Sequence, residues 1–139
     1  MTLYFDTSAL IKLLIDEEDA EIAVGLWNSR HAVAVGVLAY PEARAALAAA
    51  RRASRLTEHG YRTSLTDLEA LHGATLVVGI DDSLARHAGD LAAEHHLRGY
   101  DAVHLASALR LGDRTTLITW DQRLQHAAVT AGLAVAPAP

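Results

Sequence analysis

The chain contains no cysteine, which excludes disulfide staples and thiolate-held zinc and fits a reducing compartment. It holds only three prolines and no low-complexity linker, so nothing marks a boundary between domains, and its 139 residues suit a single domain over 1–139. Long hydrophobic runs are missing too. The longest stretch of apolar residues and glycine, Ala32 to Tyr40, is far too short to span a bilayer. No basic, then apolar, segment of secretory type precedes Asp6, and a soluble cytoplasmic protein is expected. A basic excess is also lacking: the net charge of -5 argues against indiscriminate binding to nucleic acid. The charges are nevertheless uneven. Six acids face Lys12 alone between Met1 and Ser29, whereas Arg30 to Arg62 holds six arginines against Glu42 and Glu58.

What is present is 51% apolar, enough for a globular core. Leu3, Tyr4 and Phe5 are strand formers without a polar break, as in a strand covered on both faces. The run stops at Asp6. Thr7 and Ser8 there offer helix caps before the apolar stripe of Leu10, Ile11, Leu14 and Ile15. Further strands are expected at 32–35, 75–80, 115–120 and 133–135. Helices are expected before Trp27 and over 37–55, 57–72, 81–95, 101–111 and 121–131. The acids of 16–19 suit a helix start, and Gly36 a turn. Strands alternating with helices imply a parallel sheet and a three-layer α/β domain.

Asp6 is thus set at the carboxyl end of a buried strand, where ligands of open α/β sheets bind. Asp101 opens one expected helix, Asp121 follows the fourth strand, and Glu42 lies just inside a helix. Singly, these acids read as helix caps or surface charge. Together they all can face one edge of the sheet. Clustered carboxylates repel and require a cation or protons. Oxygen-only ligands select Mg²⁺ or Mn²⁺, ions that acidify a bound water and stabilise displacement at a phosphodiester.

Four motifs carry a resemblance: Tyr4-Phe5-Asp6-Thr7-Ser8-Ala9-Leu10, Pro41-Glu42, Leu97-Arg98-Gly99-Tyr100-Asp101-Ala102-Val103-His104-Leu105-Ala106 and Leu117-Ile118-Thr119-Trp120-Asp121. In this order, over essentially the whole chain, they resemble the PIN-domain nucleases, in particular the VapC-type toxins of bacterial toxin–antitoxin systems. The resemblance implies a mostly parallel five-stranded sheet of order 3-2-1-4-5 flanked by about seven helices. It implies an acidic quartet at Asp6, Glu42, Asp101 and Asp121, with Ser8 and Thr119 as supporting hydroxyls. It further implies Mg²⁺- or Mn²⁺-dependent cleavage of RNA to 5′-phosphate and 3′-hydroxyl ends, neutralisation by a VapB-like antitoxin, a homodimer, and a heterotetramer or larger assembly with the antitoxin. Asp6 and Asp101 are expected to hold the principal metal, directly or through water, Glu42 to position or deprotonate the attacking water, and Asp121 to complete the site or hold a second, weaker ion.

Other residues have weaker claims. His104 shares a helix face with Asp101 and reads chiefly as a packing or hydrogen-bonding residue. His95 and His96, as sequence neighbours, are expected to point apart, and no His-Glu-x-x-His pattern suggests zinc. Trp27 with Leu14, Ile15 and Leu26 reads as core, or as the groove for an antitoxin segment that the resemblance implies. Arg44, Arg51, Arg52, Arg55 and Arg62 are candidates for contacts to phosphate, antitoxin or a second subunit. The alanine-rich helix from Ala43 to Ala53 is a weak pointer to dimerisation. Two rival functions remain: a non-catalytic binding module on the same fold, and a haloacid-dehalogenase-like phosphohydrolase. The latter needs a second acid two residues after Asp6, where this chain has Ser8.

Overall fold

In a computed structural model that describes every residue from Met1 to Pro139, β1 (Thr2–Phe5) is the centre of the sheet. After it come α1 (Thr7–Lys12), α2 (Ala20–Trp27), β2 (Ala32–Gly36), α3 (Ala39–Arg52), α4 (Glu58–Gly73) and β3 (Leu76–Val78). The second half holds α5 (Asp82–His95), α6 (Gly99–Arg110), β4 (Thr115–Ile118), α7 (Gln122–Thr130) and β5 (Ala134–Ala136). The strand order is β3-β2-β1-β4-β5. Every pairing is parallel, so the sheet is wholly rather than mostly so.

Strand alternation separates the two cores. Tyr4, Ala34 and Leu117 point to one face and pack with Leu84, Leu91, Leu105 and Leu124 from α5, α6 and α7. Leu3, Phe5, Val35 and Ile118 point to the other, against Leu10, Leu47 and Leu68 from α1, α3 and α4. Trp27 joins this second core, its ring edge-on to Phe5 with centroids 5.4 Å apart. Each fully buried Leu or Phe removes apolar surface worth about 1.5–3 kcal/mol from water. The register aligns Phe5 with Val35 and Ile118. One edge therefore carries the ends of β1, β2 and β4, with Asp6 N–H donating to the Ile118 carbonyl at 3.2 Å.

Several local expectations change. The cap of α1 is Asp6 itself, not Thr7 or Ser8. The acidic run does not cap α2 with a side chain. Asp19 sits at its start in the left-handed region (φ 64°) without a capping bond, and its carboxylate instead accepts from Trp120 Nε1 at 3.1 Å. Lys12 takes Glu17 and the Glu18 carbonyl at 3.2 and 2.7 Å. β3 begins one residue late, because the Thr75 hydroxyl bonds back to the His72 carbonyl. Helix α6 begins at Gly99, two residues before the expected start.

Gly36 ends β2 rather than forming a turn. A Cβ there would sit 2.4 Å from the Tyr4 hydroxyl, and the Tyr4 ring is fully buried, so neither group has room to yield. Gly36→Ala is expected to destabilise the fold by about 1–3 kcal/mol through overpacking. Thermal or denaturant unfolding measures it, and an unchanged midpoint would show that Tyr4 relaxes freely.

Candidate functional site

Asp6 lies at the carboxyl end of β1 and is 4% exposed. A helix cap needs one acceptor; here both carboxylate oxygens are engaged. Oδ1 accepts from the Ala9 N–H at 2.9 Å and the Ser8 hydroxyl at 2.7 Å, and Oδ2 accepts from the Thr119 hydroxyl. Ser8 Oγ also accepts from the Trp120 N–H at 3.1 Å, and Thr119 Oγ1 from the Asp121 N–H at 3.1 Å. The segments after β1 and β4 are thereby stitched together by two hydroxyls. Burial pushes the Asp6 carboxyl above its ordinary range, outweighing the charge of His104 and the three donors.

The second acid is placed by α3. Pro41 falls in the first turn, where its missing N–H costs nothing, and Glu42 follows it. Ala39, Ala43, Leu47 and Ala50 bury one face of α3 in the second core, so Ala43 and Ala50 of the alanine-rich stretch pack inside the chain, while Ala45 is exposed and Ala46, Ala48 and Ala49 are half-buried. Glu42 Oε1 accepts from the Thr7 hydroxyl at 2.8 Å and lies 2.8 Å from His104 Nε2. His104 is 2% exposed, and its Nδ1 is 2.8 Å from the Tyr4 hydroxyl. The ring is thus anchored at both nitrogens, Nε2–H donating to Glu42 and Nδ1 bonded to the Tyr4 hydroxyl. Burial raises the Glu42 carboxyl, but the hydrogen bond and charge of His104, with Thr7 and Arg98, outweigh it and hold the group below its ordinary range.

Asp101 does not open α6. It sits in the first turn behind Arg98, which occupies the cap position without a side-chain cap bond. Its carboxylate is therefore not used as a cap. Oδ2 accepts from Arg98 Nε at 3.0 Å, and Arg98 Nη2 lies 3.8 Å from Asp121 Oδ2. One guanidinium thus serves two of the acids. Asp121 does cap its helix, with Oδ1 accepting from the Leu124 N–H at 3.1 Å.

Bonds tie three of the acids in sequence: the Thr119 hydroxyl bridges the Asp6 carboxylate and the Asp121 main-chain N–H, and Arg98 spans Asp121 and Asp101. Glu42 is held separately, by Thr7 and His104. No three His, Asp or Glu side chains close on a common point as a ready cage. Mg²⁺ does not require one, since it keeps several waters and takes one or two carboxylates. Oxygen donors, a buried carboxylate pushed up by burial, and a guanidinium already among the acids suit a hard divalent cation. Sequence reading missed Tyr4, Thr7 and Arg98 as site residues; all three stand within the quoted motifs, but nothing in the residue pattern reveals a side-chain contact across the sheet.

The remaining candidates divide. Arg51 and Arg62 both pair with Glu58, at 3.1 and 3.0 Å, and Arg44 donates to the Tyr40 hydroxyl. These arginines serve the α3–α4 junction first. His95 and His96 both border one cavity of about 400 Å³ with His126, Arg123 and Gln122, the His95 side chain nearly buried and His96 exposed. His96 takes left-handed backbone (φ 54°) at the end of α5, which turns the chain between them.

Residues 3–129 match the PIN domain family. The chain is 47% identical over 137 residues to Ribonuclease VapC49 of Mycobacterium tuberculosis, covering 98% of this chain and 95% of the relative. The structure of VapC20 of Mycobacterium tuberculosis, described as a sarcin-ricin loop cleaving toxin, superposes with a TM-score of 0.71 at 20% identity, over 90% of this chain and 94% of that one. VapBC2 from Rickettsia felis, bound to a promoter DNA fragment, superposes at 0.69 with 10% identity over 97% of both chains. At these identities the two structures speak for the fold alone, whereas the family match and the sequence relative carry the assignment: the chain belongs to the PIN-domain family and, within it, stands with the VapC ribonucleases.

Proposed function

We propose that this chain is a metal-dependent endoribonuclease toxin that cuts cellular RNA in the cytoplasm and is held inactive by a VapB-like antitoxin. The observation that carries this reading is the buried Asp6 carboxylate bridged through Thr119 to the Asp121 N–H, with Arg98 spanning Asp121 and Asp101 and Glu42 held by Thr7, the residue after Asp6. The ribonuclease names of the sequence relatives support the RNA substrate, and the described toxin–antitoxin complexes of similar fold support the partner. In this reading the active form is a homodimer that assembles with the antitoxin into a heterotetramer or larger complex.

Asp6, Asp101 and Asp121 would hold Mg²⁺ or Mn²⁺, with Glu42 at its margin. When bound, such an ion supplies positive charge that stabilises the phosphodiester's in-line displacement. The chain's own residues do the rest. Ser8 and Thr119 fix both oxygens of Asp6, so its orientation does not depend on the cation. His104 and Thr7 occupy one oxygen of Glu42 and leave the other open to a water. A carboxylate held below its usual range accepts hydrogen bonds well and protons poorly. Glu42 therefore orients the attacking water rather than carrying off its proton. With such an ion held by Asp101 and Asp121, the long, exposed Arg98 side chain would be free to pair with the phosphate.

Cleavage of RNA with Mg²⁺ or Mn²⁺ is expected to vanish in EDTA and in Asp6→Ala, and to fall about 10–100-fold in Thr119→Val, which loses only the supporting hydroxyl. Cleavage that persists in EDTA or in Asp6→Ala would overturn the assignment and leave a non-catalytic module or another nuclease centre. A covalent aspartyl phosphate on Asp6 would favour the phosphohydrolase instead.

The raised Asp6 carboxyl makes a second test. The folded chain binds this proton more tightly than the unfolded chain. Its contribution to stability is fully present below the unfolded value near 3.8 and is lost as pH rises through the folded one. At pH 7 the metal-free protein carries that cost. Asp6→Asn, which still caps α1, should melt higher in EDTA, by about 3 °C for each kcal/mol relieved, and should lose the further stabilisation that Mg²⁺ or Mn²⁺ gives the natural chain. A variant that melts lower in EDTA would show that the charge is not a burden.

A further inference from the structure

The cavity between the end of α5 and the start of α7 is lined by His95, His96, Gln122, Arg123 and His126, with no hydrophobic side chain and no acid. Its place is set by the site's own chain. Gln122 and Arg123 directly follow Asp121, and His96 is two residues before Arg98, which pairs with Asp101. The lining is therefore joined to Asp121 and Arg98 by one or two residues of chain. Glu94 approaches His95 Nε2 only at 3.9 Å and is itself largely exposed. The side chains of His96, Arg123 and His126 have no intramolecular ion pair.

Such a lining is unsuited to a cation. Arg123 carries a permanent charge, and no three ligand side chains converge there. It is well suited to an anion. A guanidinium fork, imidazole N–H groups and a side-chain amide can all donate to phosphate oxygens, and imidazole and guanidinium planes also stack on bases. About 400 Å³ is room enough for one nucleotide unit. Against a net charge of -5, a cavity rich in donors and free of acids, one residue along the chain from Asp121, is a place where the substrate backbone can gain attraction.

We propose that this cavity is an RNA subsite that grips a backbone phosphate, with its base, adjoining the bond cut at the acidic centre. The subsite rests on the ribonuclease reading for its choice of RNA as the anion. The arginines of α3 contribute less, because α3 packs on the other face of the sheet from α5 and α7; Arg44 and Arg51 already serve Tyr40 and Glu58, and Arg52 ends the helix.

The test measures binding and cleavage separately. Fluorescence anisotropy of a labelled single-stranded RNA oligonucleotide is followed in EDTA at several salt concentrations, for the natural chain, Arg123→Ala, His126→Ala, the double variant and Arg52→Ala. All these side chains are exposed, and thermal melts check that each variant folds. The double variant is expected to bind about tenfold more weakly with a salt slope shallower by about 1. Arg52→Ala should be near the natural chain. In Mg²⁺ the double variant should show a raised KM at little-changed kcat. Equal weakening by Arg52→Ala, or unchanged binding in the double variant, overturns the subsite even if cleavage is intact. Binding that depends on the cavity in a chain that cleaves nothing upholds the subsite and defeats the nuclease reading. No binding at any salt concentration overturns the subsite, whatever the cleavage assay gives.

Discussion

A carboxylate kept out of water at the middle of the sheet is the constraint on which the site depends. Asp6 sits where β1, β2 and β4 end together, and burial there is costly unless every lone pair finds a donor. The donors come from α1, one turn onward, and from the segment after β4, more than a hundred residues away in sequence. The same hydroxyls accept from the Trp120 and Asp121 N–H groups. Satisfying one charge thus fixes the paths of two loops and, through Asp121, the start of α7.

The acids fall into a stiff pair and an adjustable pair. Asp6 and Glu42 are tied by hydroxyls, a backbone N–H and the doubly anchored ring of His104. Asp101 and Asp121 are tied to each other only through Arg98, whose side chain is 60% exposed. A long exposed guanidinium is cheap to move, whereas a ring buried between Tyr4 and Glu42 is not. The arrangement sets fixed carboxylates on one side and yielding ones on the other, and so combines preorganisation with access.

The architecture was legible because β-branched and apolar runs alternate with helical stripes, and Asp6, Asp101 and Asp121 were visible because each breaks such a run. What stayed hidden was how side chains meet across elements. Asp101 reads as a cap when Gly99 is read as a helix end, yet a glycine at N1 is tolerated and the helix starts there. The shared cavity of His95 and His96 is invisible in the sequence, because nothing there signals the left-handed backbone of His96. Tyr4 looked like ordinary strand core, and only the contact with His104 shows that its hydroxyl belongs to the site. Gly36 was legible as a glycine but not as the space that this hydroxyl requires.

Helix α3 presents Ala39, Ala43 and Ala50 to the core, with Leu47 among them, and Glu42 rides on the same turn as the first two. Side chains of one carbon let two backbones approach closely, so the depth at which α3 seats is set by carbon atoms that are not there. Lengthening any of these alanines would lift the helix like a shim under a lathe tool, and the reach of Glu42 toward His104 would change although no polar atom had been touched. Tolerance at this site is therefore a property of volume as much as of charge.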